Sequence, residues 1–119
     1  MALVLQGMAL VSERSCMQFR PYRVGDPDYL HVLYNLTGCW SMVGRQGGGQ
    51  VVSLQRNGCF KPAVVAHEML HVAGFYHQHS AVDRDDFVQI NFTNVKPGRL
   101  LHFKSLMFKI DIAGGLSKF

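Results

Sequence analysis

Three histidines lie close together in the stretch of chain that runs from position 67 to position 77. The stretch reads H-E-M-L-H-V-A-G-F-Y-H and follows the pattern H-E-x-x-H-x-x-G-x-x-H. His67 and His71 are four residues apart, so on a helix they project from one face. Gly74 allows the chain to turn sharply at the helix end, so that His77 can return as a third ligand. The spacing therefore predicts a site for one Zn²⁺ ion per chain.

The acidic residue of the same stretch indicates which reaction this metal site catalyses. A catalytic zinc site uses three protein ligands and leaves one position to water. Three neutral imidazoles leave the ion its full charge, which acidifies the bound water and polarises a substrate carbonyl. Glu68 can take a proton from that water and pass it to a leaving amine. We therefore predict a zinc-dependent endopeptidase with Glu68 as the catalytic base and His67, His71 and His77 as metal ligands.

The same residues allow two other interpretations. A core helix could carry the histidines by coincidence, but core helices rarely place three imidazoles and a carboxylate in one register. Alternatively, the chain is a catalytically inactive fragment that holds zinc or binds peptides without cleaving them. Substitution of Glu68 separates the last interpretation from an enzyme, because only turnover requires its carboxylate.

Composition restricts the classes of protein to which the chain can belong. Its 119 residues suffice for one compact domain, and 48% hydrophobic residues indicate a globular protein. The net charge of +4 comes from scattered lysines and arginines that form no basic stripe with interleaved aromatic residues, which argues against nucleic-acid binding. The sequence contains no apolar run of transmembrane length, and its first residues lack the features of a signal peptide.

Hydrophobic patterning and turn residues predict an α+β fold in which the second helix carries the histidines. Pro62 suits the first position of that helix. The predicted elements are helices over residues 1–15 and 63–73, strands over 16–20, 29–34 and 50–55, and extended segments over 40–44 and 87–92.

Several segments on either side of the zinc pattern strongly resemble the astacin family of zinc endopeptidases, which belongs to the metzincins. The resemblance covers about residues 7–97, roughly four-fifths of the chain. Its matching segments read G-C-W-S (38–41), V-G-R (43–45), Q-V-V-S-L (50–54), N-G-C (57–59), G-F-Y-H (74–77) and D-R-D (83–85).

This resemblance implies further properties of the site. Cys39 and Cys59 would form a disulfide above the cleft. Cys16 would pair with a cysteine near the end of the full catalytic domain, but no cysteine follows Cys59 in this chain, so we expect Cys16 to have lost its partner. An extended substrate peptide would bind near a sheet edge, which the resemblance assigns to the segment Gln50, Val51, Val52, Ser53 and Leu54. The protein would be secreted or extracellular, and its partners would be peptide or protein substrates.

The resemblance also predicts how much of a family domain the chain contains. We expect the upper subdomain of a metzincin-like protease: a twisted, mostly antiparallel-edged sheet with two helices. The C-terminal subdomain would be largely missing, and the chain would be a fragment truncated at both ends. Residues 1–97 would form the partial peptidase domain and residues 98–119 a divergent tail. Gln78 and Ala81 replace the family's usual Glu and Arg, and Ser105–Lys109 imitates only half of the family's methionine turn.

Overall fold

The computed structural model of the protein describes residues 2–105. The chain divides into two compact units, one ending at Phe75 and the other beginning at Tyr76. The elements of the first unit are α1 (Ala2–Ser12), β1 (Tyr29–Leu33), β2 (Cys39–Ser41), β3 (Gly49–Leu54) and α2 (Pro62–Val72). The described part of the second unit contains short 3-10 helices at Gln78–Ser80, Arg84–Asp86, Phe92–Asn94 and Leu100–Phe103. The predicted α+β class with two α-helices is therefore confirmed.

The three strands form a mixed sheet in the order β1-β3-β2. β3 runs parallel to β1, with Tyr29 opposite Gly49, and antiparallel to β2, with Cys39 opposite Leu54. One edge of the sheet is therefore antiparallel and the other is parallel. The placement of Gln50–Leu54 near a sheet edge was wrong, because β3 has a hydrogen-bonded neighbour on each side. The strand is also largely buried, and the side chain of Ser53 is fully enclosed.

The apolar core of the first unit joins the sheet to both helices. α1 crosses α2 closely at Gly7, where an added Cβ would stand 2.4 Å from the Cβ of Val65 and 2.7 Å from the carbonyl oxygen of Pro62. A side chain at this position would push the helices apart. The buried apolar residues are Val11, Val52, Leu54, Cys59, Val65 and Met69. This core fixes the position of α2, and with it the histidines that α2 carries.

Most predicted elements are confirmed, with shifted ends, but one predicted strand is wrong. The predicted strand over residues 16–20 does not form; Met17 and Phe19 instead pack against the core without pairing to any of the described strands. In the segment 87–92, which was predicted to be extended, Asn91 is extended and Phe87 is helical, and a 3-10 helix begins at the last residue. None of the described helices has the length and apolarity that crossing a membrane requires.

In the second unit, a buried arginine bonds to residues from separate parts of the chain. Arg84 is only 8% exposed. Its guanidinium donates hydrogen bonds to the carbonyl oxygens of His79, at 2.9 Å, and Phe103, and to a carboxylate oxygen of Asp85 at 3.1 Å. The predicted boundary between a peptidase domain and a tail at residue 97 remains a prediction. Residues 106–119, and with them most of the half-matching methionine turn, lie outside the described residues.

Candidate metal centre

The ends of α2 are set by a proline and a glycine. Pro62 occupies the first turn, where its missing N–H leaves no hydrogen bond unmade. The helix ends at Val72, and Gly74 follows with φ of +102°. This left-handed conformation suits glycine, and the Gly74 N–H donates to the carbonyl oxygen of His71 at 2.8 Å. The chain therefore leaves the helix immediately after its second histidine.

The two helical histidines point their Nε2 atoms at a common position. These atoms are 3.0 Å apart, and the rings are nearly perpendicular, with their centroids 4.5 Å apart. The Nδ1–H of His71 donates to the carbonyl oxygen of Phe75 at 2.7 Å, so Nε2 is the ring nitrogen through which His71 would coordinate a metal. Two nitrogens at zinc-ligand distance in a tetrahedral site are about 3.3 Å apart. The pair thus comes close to the geometry that zinc requires.

The third histidine of the pattern completes the ligand set. The metal-ligating atoms of His67, His71 and His77 all lie within 4.8 Å of one another. The backbone of His77 is extended, with φ of −63° and ψ of 129°. The structure therefore brings together the three histidines of the sequence pattern, and they are positioned to chelate one zinc ion.

Glu68 has the burial and the unmet hydrogen bonding of a functional carboxylate. Its side chain is 4% exposed, and its Oε2 is buried with no hydrogen-bond partner among the described residues. A buried carboxylate oxygen without a donor is costly and calls for a functional or structural explanation. A metal centre that brings water to this oxygen would supply that explanation. The three imidazoles and Glu68 together fit a zinc site, whereas the role of Glu68 as a base remains a prediction.

The predicted disulfide between Cys39 and Cys59 is present, with its Cα atoms 5.6 Å apart. It links the first residue of β2 to the loop that precedes α2. Closing a loop of this size stabilises a fold by about 3 kcal/mol in the chain-entropy account. The disulfide therefore helps to hold the metal-carrying helix beside β2. Cys16 carries a free and exposed thiol.

Sequence reasoning missed the residues that hold α2 from the side of the sheet. The hydroxyl of Ser41 donates to the carbonyl oxygen of Glu68 at 3.0 Å. The N–H of Gly44 donates to the carbonyl oxygen of His71 at 2.8 Å. Gln50 is buried and hydrogen-bonds the backbone near Gly44. The only sequence signal was a polar residue on a strand otherwise rich in valine and leucine.

Comparisons with known proteins agree with this site. The family model for Astacin, a peptidase family, matches residues 1–111. The chain is 46% identical over 98 residues to zinc metalloproteinase nas-14 of Caenorhabditis elegans, a match that covers 82% of the chain and 20% of that protein. It is 44% identical over 112 residues to zinc metalloproteinase nas-7 of the same organism, a match that covers 94% of the chain and 28% of that protein.

A solved structure is similar in fold as well as in sequence. High choriolytic enzyme 1 is a hatching-enzyme zinc protease from the medaka fish Oryzias latipes. It superposes with a TM-score of 0.79 at 33% identity, covering 89% of this chain and 52% of that one. The chain therefore spans about half of the solved structure and between a fifth and a third of the two curated relatives above.

Proposed function

This chain belongs to the astacin family of peptidases, and we propose that it acts as a zinc-dependent endopeptidase. The observation that carries the proposal is the buried Oε2 of Glu68, which has no partner within the described residues and lies on the helix of the histidine cluster. A bound zinc ion supplies an acidified water and an electrophile for a substrate carbonyl. The residues around that ion, above all Glu68, would then transfer the protons that peptide hydrolysis requires.

Glu68 is the proton carrier in this proposal. Because its Oε2 accepts no hydrogen bond from the described residues, the oxygen is free to accept one from water. The carboxylate takes the proton of the attacking water and returns it to the nitrogen of the leaving amine. His71 is oriented for its role by the hydrogen bond from its Nδ1–H to Phe75, which fixes the ring and the ligand nitrogen.

We place the docking of an extended substrate peptide on β2 instead of β3. Within the described residues, β2 is hydrogen-bonded to β3 on one side only, so its other edge can accept a further strand. Trp40 and Met42, on and just after β2, are 41% and 53% exposed and offer apolar contacts to a peptide. Main-chain hydrogen bonds along this edge would hold a peptide beside the helix that carries Glu68.

The disulfide supports a location outside the cytosol. Disulfides such as Cys39–Cys59 persist in oxidising compartments and are rare in the cytosol. We therefore propose a secreted or extracellular peptidase whose partners are peptide or protein substrates.

Replacing Glu68 by glutamine tests the proposed reaction. We expect hydrolysis of unfolded casein and of a quenched fluorescent peptide to fall about 10²–10⁴-fold, because the amide cannot accept the proton. Zinc content, measured by native mass spectrometry, should stay at one ion per chain, whereas His71→Ala should lose it. Glu13, the other glutamate of the sequence, is exposed on the loop after α1, so Glu13→Gln is a matched control with unchanged activity.

The second candidate function is a zinc-holding or peptide-binding module without turnover. One observation favours this candidate: the three histidines make a metal site that does not depend on the carboxylate of Glu68. Equal lack of activity in the zinc-loaded wild type and Glu68→Gln would establish this alternative. A rate that depends on Glu68 would exclude it.

A further inference from the structure

A short stretch that begins at the last residue of β2 contacts the backbone of the metal-carrying helix twice. We call residues 41–44 the 41–44 segment. At its start, the hydroxyl of Ser41 donates to the carbonyl oxygen of Glu68 at 3.0 Å. At its end, the N–H of Gly44 donates to the carbonyl oxygen of His71 at 2.8 Å. The segment thus contacts the backbone of the proposed base and of one metal ligand.

The hydrogen bond from Gly44 to the carbonyl oxygen of His71 also helps to terminate the helix. His71 lies in the last turn of α2, where carbonyl groups have no partner within the helix. Its carbonyl oxygen accepts from Gly74, which follows in the chain, and also from Gly44. The end of the helix is therefore fixed from the side of the sheet as well as by its own C-terminal turn. Gly44 adopts φ of +75°, a conformation that favours glycine.

Gln50 holds the 41–44 segment in place from the central strand of the sheet. Its side-chain amide is buried, at 7% exposure, and donates to the carbonyl oxygens of Met42 at 3.2 Å and Gly44 at 3.0 Å. Its Oε1 accepts from the N–H of Gln46 at 3.0 Å. A glutamine side chain can make four hydrogen bonds, and three of those of Gln50 therefore go to the backbone of this one turn.

We propose that Gln50 and Ser41 are positioning residues for the metal centre, acting through the 41–44 segment. Gln50 sets the path of the segment, and the segment sets where the last turn of α2 presents His71. Without these bonds the turn would shift and misplace a ligand nitrogen, because metal affinity depends on the groups that orient the ligands. The link between this segment and a peptide on β2 rests on the proposed function, whereas the effect on metal binding does not.

Two matched pairs of variants separate positioning from general stability. Gln55 is a second glutamine whose side chain bonds a loop backbone next to β2, accepting from Gly38 N–H at 2.8 Å. Ser53 is a second serine of the sheet, and its hydroxyl donates to the Gly38 carbonyl at 3.0 Å. Gln55→Leu and Ser53→Ala thus remove comparable bonds at the far end of β2, away from the 41–44 segment. They are the controls for Gln50→Leu and Ser41→Ala.

The experiment measures Co²⁺ binding to the full 119-residue chain. The visible absorption of the bound ion reports the binding, and competition with zinc gives the relative affinity. Every variant carries Cys16→Ser, so that the exposed thiol cannot bind cobalt. We expect Gln50→Leu to weaken Co²⁺ binding about tenfold and to change the absorption bands. Ser41→Ala should weaken binding less, and Ser41→Thr, which keeps the hydroxyl, should restore it. The two control variants should lower the unfolding temperature without changing affinity or spectrum.

Equal Co²⁺ affinities and spectra for Gln50→Leu and Gln55→Leu would overturn the proposal. If Gln50→Leu does not fold, the serine series decides: Ser41→Ala indistinguishable from Ser53→Ala overturns it as well. Because cobalt binding requires no turnover, a chain that cleaves no peptide can still pass this test. Failure of the proposed function and failure of this inference are therefore distinguishable.

Discussion

The two units of this chain are stabilised by different interactions. Within the described residues, the buried apolar core lies entirely in the unit ending at Phe75. Its members come from α1, β3, α2 and the loop between β3 and α2. Among the described residues of the other unit, the buried ones are Ser80 and Arg84, and the backbone forms only turns and 3-10 helices. The first unit is held mainly by apolar burial, and the second mainly by hydrogen bonds.

This difference matters for the metal centre because the histidine pattern continues from one kind of structure into the other. His67 and His71 stand on a helix whose inner face includes the fully buried Val65 and Met69. His77 immediately precedes the 3-10 helix at Gln78–Ser80. A helix packed in a core holds its side chains rigidly, whereas segments with few buried apolar contacts open more easily. We therefore expect the first two ligands to be preorganised more firmly than the third.

Removal of a core side chain should give the largest effect on stability. Met69→Ala leaves a cavity in the apolar core, and we expect it to lower the free energy of unfolding by about 2–5 kcal/mol. Met42→Ala is the control, because the side chain of Met42 is 53% exposed. Urea denaturation followed by circular dichroism measures both. Similar losses for the two variants would mean that apolar burial does not dominate the first unit.

Replacement of the buried arginine should act on the second unit alone. Arg84→Met leaves the carbonyl oxygens of His79 and Phe103 without this donor, at a cost of about 1–3 kcal/mol for each. Hydrogen exchange should speed up within residues 76–105 and stay unchanged in β3 and α2. Arg99→Met, at an exposed position of the same unit, should change neither. Faster exchange across the whole chain would contradict the division into separately stabilised units.

The smallest effect concerns a surface charge of the first unit. Arg20 and the backbone N–H of Arg23 donate to the carboxylate of Asp26 and lower its pKa to about 2. A lowered folded-state pKa stabilises the fold above the unfolded-state value of about 3.9, and this contribution is lost as the pH falls through the folded-state value.

Unfolding of wild type and Asp26→Asn should therefore differ slightly near neutral pH and converge as the pH falls toward about 2. Because the pair is exposed, ~1 M salt should reduce the difference as well. A difference that grows in acid would show that Asp26 stabilises the fold by something other than its charge.

Features set by residues close together in the chain could be predicted from the sequence, whereas features set by contacts between distant residues could not. α2 and the placement of the histidines could be predicted, because a proline start, a glycine end and ligand spacing are all local signals. Residues 16–20 have strand-like composition but pair with none of the described strands, and composition alone cannot supply a partner. The position of β3 in the middle of the sheet was missed, because strand order is a property of non-local pairing.

The amino-acid sequence by itself determined the chemistry of this protein: three imidazoles, one carboxylate and a glycine at spacings that a helix and a turn convert into a metal site. Tertiary structure decided what surrounds that site. Packing buried Glu68 with no donor for its Oε2 among the described residues and placed Ser41 and Gly44 against the carbonyl groups of α2. It also buried Gln50, whose amide donates to the carbonyl oxygens of Met42 and Gly44. Ser41 and the Glu68 carbonyl that it contacts are 27 positions apart along the chain. Local spacing cannot encode such a contact, because it exists only once the sheet and the helix have packed together.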